Sequence, residues 1–158
     1  MKDKLLFPNQ FKTIGWCILI PAALAGIIVT TTGFEADWLS ANVFTLISDE
    51  ALSQTHFFTM ISANVTNTLV GTLFIVGALM VSFSREKKED EFIANLRLSS
   101  LLWSVWVNYI LLFLAFIFIY GMAFFTVMVY NMFTILIIFI IRFNYILYKS
   151  SKVTVDEK

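Results

Sequence analysis

Cysteine, histidine and charge are all scarce in this chain, and each shortage removes a class of chemistry. One cysteine among 158 residues, Cys17, permits no intramolecular disulfide and no CxxC redox pair, and it reads as a small apolar filler. One histidine, His56, with no cysteine beside it, supplies too few ligands for a protein-built zinc site. A membrane serine protease needs a Ser/His pair inside an apolar run, and a lipid phosphatase needs histidine among clustered basic residues. Neither pattern is present. The sequence thus offers no catalytic, cofactor-binding or metal-ligating residue, and a non-enzymatic protein is expected. His56 follows Asp49 and Glu50 closely, but an isolated loop histidine ordinarily does not act as a pH switch. Charged residues make up only 14%, the 11 basic and 11 acidic side chains cancel, and no basic excess points to nucleic acid.

What is abundant is apolar. The chain is 59% hydrophobic and 16% aromatic, with 17 Phe, a composition of polytopic membrane proteins. The expectation is one all-α integral membrane domain over residues 1–158, with four transmembrane helices at about 13–33, 58–83, 98–120 and 123–148. The last two form a C-terminal transmembrane hairpin. From Leu101 to Gly121 the only strongly polar side chains are Ser104 and Asn108, and from Met122 to Ile141 only Thr126, Asn131 and Thr134. Each limb therefore meets the roughly 20 residues needed to cross ~30 Å of hydrocarbon.

The first apolar run follows Lys2, Lys4 and Lys12 but outlasts a signal peptide and contains Pro21, so it reads as a retained, locally loosened helix. Ala22 and Gly26, four apart, read as a face where another helix approaches. The extracytoplasmic loop 34–57 carries Trp38, Leu39, Val43, Leu46 and Ile47 at near-helical spacing, which suggests a short amphipathic helix at the membrane surface or capping the bundle. The second span is polar in its outer half. Asn64 and Asn67, with Asn108 and Asn131 on the later helices, are candidate intramembrane polar contacts, and hydrogen bonding between helices is the default use of such amides.

Residues 84–97 form the one dense charge run and read as a cytoplasmic connector. Asp90 is placed to cap a helix whose first turns protrude from the membrane, making Asp90, Glu91, Phe92, Ile93 and Arg97 candidate partner-docking residues. In the hairpin, counting about the Gly121–Met122 junction sets Asn131 level with Leu112 and leaves Asn108 about one turn (~5.4 Å) away. The same count sets Arg142 level with Leu101, as an interfacial anchor among aromatic residues. Sidedness follows from where cations sit. All 11 Lys and Arg fall in the amino-terminal segment, the connector or the carboxyl end, which places both termini in the cytoplasm.

Several stretches carry a likeness: L-F-P-N-Q-F-K-T-I-G-W at the start, E-K-K-E-D-E-F-I-A-N-L-R-L-S-S-L-L-W, Asn108-Tyr109, and Y-N-M-F-T-I-L-I-I-F-I-I-R-F-N-Y near the end. The chain resembles a family of small, uncharacterised four-span bacterial inner-membrane proteins. That resemblance implies a multi-pass location in the cytoplasmic membrane and a pairing with small helix-turn-helix regulators. It carries no catalytic residues across.

Two functions are consistent with these readings. One is an accessory or regulatory membrane component that acts through the connector, on a cytoplasmic regulatory protein, or through self-association as a homo-oligomer, with membrane lipid as its surroundings. The other is a small transporter or channel subunit using Asn64, Asn67, Asn108 and Asn131 as an uncharged polar path. Proton coupling lacks its group, because no carboxylate lies in any expected span.

Overall fold

The computed structural model describes residues 6–48, 56–87 and 90–156. Four helices account for most of them: α1 (Gln10–Thr32), α2 (Thr66–Ser82), α3 (Glu91–Phe118) and α4 (Met122–Asp156), with strands β1 (Ser40–Ser48) and β2 (His56–Asn64) between α1 and α2. Three helices, α1, α3 and α4, are long and apolar enough to cross a membrane. α2 is apolar but has only 17 residues, about 26 Å of helix. The chain divides into two compact units, one formed by the segment up to Cys17 with Ile75 onward, the other by Ile18–Phe74.

In the first unit α3 and α4 lie antiparallel. α3 buries Ile93, Leu96, Arg97, Ser100, Ser104, Asn108 and Ala115, a single stripe at three- and four-residue steps. Ser100 and Ser104 have no exposed surface, and such small side chains allow close helix approach. On α4 the matching bulk is aromatic: Phe139 and Phe143 stack at 5.8 Å, and Phe139 also stacks on Phe83 at 6.5 Å. α3 stops at an extended Ile119, and Gly121 turns the chain at φ 71, a left-handed conformation that costs glycine nothing.

Because the helices end and restart symmetrically about Tyr120, the hairpin's register differs from the one expected. Asn131 falls level with Tyr109 rather than Leu112, and Asn108 is its neighbour. α1 meets α2 at Gly15, where a Cβ would lie 2.9 Å from Met80 Cβ, Val81 Cγ2 and Val81 N. That closest approach lies two turns before Ala22, on the stripe that buries Gly15, Leu19 and Ala22. Cys17 is exposed, so it fills no core gap.

The second unit corrects the sequence reading most. Residues 40–48 are not helical; they pair antiparallel with 56–64, in a register that sets Val43 opposite Ile61 and Phe44 opposite Met60. The helical spacing is real, but Val43, Phe44, Thr45 and Ile47 are β-branched or aromatic, and so is much of the partner strand. Such residues favour a pleated surface once a partner strand exists. Only a short 3-10 turn, Asp37–Leu39, precedes the hairpin. Consequently the second helix starts at Thr66, not 58. Gly26 of α1 faces Val70 of α2, with an ordinary contact distance of 3.7 Å for an added Cβ.

The hairpin's base is fastened to the start of α2. Asn64 donates to the Ala36 carbonyl at 3.0 Å while its Oδ1 accepts from Thr66 N at 2.9 Å and Thr66 Oγ1 at 2.6 Å. Thr66 Oγ1 accepts from Ala36 N at 3.2 Å, and Val65 N donates to Leu39 O at 3.1 Å.

Candidate functional site

Ser84 is the point on which the first unit closes, and it is only 1% exposed. The amino-terminal arm pairs alongside it as a parallel bridge: Phe7 N donates to Phe83 O, and Arg85 N donates to Phe7 O, both at 2.9 Å. Two side-chain contacts extend that seam. Asn9 Nδ2 donates to Arg85 O at 2.7 Å, and Lys12 makes an ion pair with Glu86. Pro8 and Asn9 sit where a helix begins, and their carbonyls accept from Phe11 N and Lys12 N at 3.0 and 3.1 Å, which satisfies amides that a helix start otherwise leaves open.

α3 joins from the other side. Asp90 Oδ1 accepts from Ile93 N at 2.9 Å, capping the first turn as its position in the sequence implies. Further along the helix, Arg97 reaches back to the Ser84 carbonyl at 3.3 Å, with its guanidinium 5.5 Å from the Phe143 ring centroid. Burial of this cation to 9% exposure is offset by the carbonyl and the ring face. Arg142 lies close by on α4, 4.3 Å over Trp103. Beside the seam lies a cavity of about 430 Å³ lined by Asn9, Lys12, Thr13, Glu86, Lys87, Ile93 and Leu147.

The five docking candidates therefore separate into two groups. Arg97 ties α3 to Ser84, Ile93 is buried at 8% exposure, and Asp90 caps the helix's own first turn. Glu91 and Phe92 face outward, Phe92 at 53%. Sequence reasoning gave no role to Phe7, Asn9, Lys12, Ser84 or Glu86, which it read only as part of the basic amino-terminal segment and of the charged cytoplasmic connector. The Pro8-Asn9 helix start was a usable signal; the arm's backbone pairing with residue 84 left none.

The four asparagines do not play one part. Asn108 and Asn131 bond reciprocally, Nδ2 to Oδ1, at 3.1 and 3.2 Å. Asn64 ends β2 and holds the hairpin clasp, so it is not on a helix. Asn67 is exposed on the first turn of α2 rather than turned inward. His56 begins β2, while Asp49 and Glu50 lie outside the described residues. Among the described residues no group of three His, Cys, Asp or Glu is placed to hold a metal ion. The chain matches no family model, no curated protein and no solved structure.

Proposed function

We propose that this chain is a non-enzymatic, four-span protein of the bacterial cytoplasmic membrane that works as an accessory or regulatory component, docking a cytoplasmic regulatory protein on the connector. The observation that carries the reading is the set of contacts that engage the connector's first residues. A solvated loop would need no backbone bridge to the amino-terminal arm, no Lys12–Glu86 pair and no buried arginine beneath it. Beside those contacts Glu91 and Phe92 are exposed on the first turn of α3, and an exposed aromatic residue is the kind of side chain that anchors a partner.

The same seam supports four spans. α1 begins and α2 ends within one backbone bridge, Phe7 beside Ser84, so a chain that crosses on α1 has returned by the end of α2. Its basic residues, Lys12, Arg85, Lys87 and Arg97, gather at that end, as cytoplasmic ends do. The transport alternative draws less support, because Asn108 and Asn131 satisfy each other and Asn64 is engaged in the clasp.

Gentle solubilisation followed by native mass measurement and identification of what co-purifies tests the docking reading. Wild type is expected to carry a stoichiometric soluble partner, and Phe92→Ala to lose about tenfold or more in retention, the loss typical of a central aromatic anchor. Asp90→Ala serves as the structural control, since it removes the cap without touching Phe92. Full retention by Phe92→Ala and Glu91→Lys together overturns the proposal.

A further inference from the structure

The hairpin presents two unlike faces. Val43, Thr45, Ile61 and Ala63 are half-buried. On the other face the large residues are the exposed ones: Phe44 at 58%, Phe58 at 71% and Met60 at 71%. Phe44 pairs across the strands with Met60 and sits 6.3 Å from the Phe58 ring, so the three form one apolar patch rather than scattered exposures. We propose that this face lies on the membrane: the hairpin rests flat in the interfacial lipid layer, with Phe44, Phe58 and Met60 turned into it.

Lipid is the occupant because the hairpin cannot leave the bilayer's edge. Its base is clasped to Thr66, the first residue of α2, through Asn64 and Ala36, and at that same base its first strand follows α1 after only a few residues. Exposed apolar side chains lead along the chain from α1 to the hairpin, from Leu24, Ile27 and Ile28 through Phe34 to Trp38, which is 82% exposed. Thr13 to Ser84 contains no Lys or Arg, so no cation at the patch would hold it in the aqueous layer, and aromatic side chains, tryptophan above all, suit the headgroup boundary. Strands of nine residues extend about 30 Å. Standing upright, the hairpin would carry its aromatic patch into water as a lone two-stranded sheet, a form that is marginal there. Lying flat, it places the patch in the lipid that surrounds α1. The hairpin belongs to the α1–α2 connection, and its placement does not depend on the docking reading of the α2–α3 connector.

The test uses the full chain with Cys17→Ser, reconstituted in vesicles of phosphatidylethanolamine and phosphatidylglycerol. Phe44→Cys and Met60→Cys, in separate variants, each carry an environment-sensitive fluorophore, with Lys87→Cys as the exposed reference. At both hairpin positions, shallow spin-labelled lipid is expected to quench several-fold more than aqueous iodide, with the order reversed at Lys87→Cys. Two results overturn the proposal: hairpin labels that respond to iodide as the reference does, or labels shielded from both quenchers that cross-link to a second copy, which would make the face a dimer contact.

Discussion

Gly15→Leu is expected to destabilise the helical assembly by about 3 kcal/mol, the upper part of the range for overpacking a filled contact. The reason lies in what the added atoms meet. Even a single Cβ at Gly15 would sit 2.9 Å from the backbone nitrogen of Val81 and from two side-chain carbons, and a backbone atom cannot move aside as the end of a side chain does. The helices must separate, which pulls on the bridge between Phe7 and Ser84 three residues beyond Val81. Gly26→Ala provides the contrast on the same helix, because its Cβ would make an ordinary 3.7 Å contact with Val70. Reversible unfolding in mixed micelles should show a large loss for Gly15→Leu, a smaller loss for Gly15→Ala and little change for Gly26→Ala. Equal tolerance of alanine at both glycines would mean that α1 and α2 do not meet at Gly15.

Asn108→Leu is expected to cost about 1–2 kcal/mol, and the double variant with Asn131→Leu less than the sum of the two single ones. In hydrocarbon an amide without a partner keeps its desolvation penalty, whereas removing both amides leaves an apolar contact of similar volume. A double-mutant cycle measures the coupling directly. Additive single effects would place the two side chains with other partners, and a change in solute flux on Asn131→Leu in proteoliposomes would revive the transport reading.

The long helices were legible because composition alone decides them. An apolar run as long as Leu101–Ile141, with only a few isolated polar side chains and one turn signal at Tyr120-Gly121, has few alternatives. The cap at Asp90 was legible for a similar reason, being a local contact between residues three apart. The β-hairpin was not. Val43, Leu46 and Ile47 fit a helical period, and the strand that overrides it lies about a dozen residues further on, where its apolar residues read as the start of the second span. Strand pairing is a non-local choice that a single segment's period does not contain. The sequence singles out Asn108 and Asn131 but sets them at different levels, because the count carries α3 on to the glycine. α3 ends at Phe118 with Ile119 extended, and that small unwinding brings the amides together. By its place in the sequence, Arg97 belongs with the connector's outward charges. It turns inward instead, since the Ser84 carbonyl and the Phe143 ring offer it a site that no local pattern reveals.

In the proposed topology α1 and α2 form an antiparallel pair of crossings, so that the arm, the connector and the end of α4 share one side of the membrane and the β-hairpin takes the other. Single cysteines introduced by Glu35→Cys, Glu91→Cys and Lys149→Cys in a Cys17→Ser background, challenged with a membrane-impermeant maleimide, test it most directly. Glu35→Cys is predicted to label in intact cells, and Glu91→Cys and Lys149→Cys only after the membrane is opened. Labelling of Glu35→Cys and Glu91→Cys from the same side would contradict this topology, because α2 would then not cross.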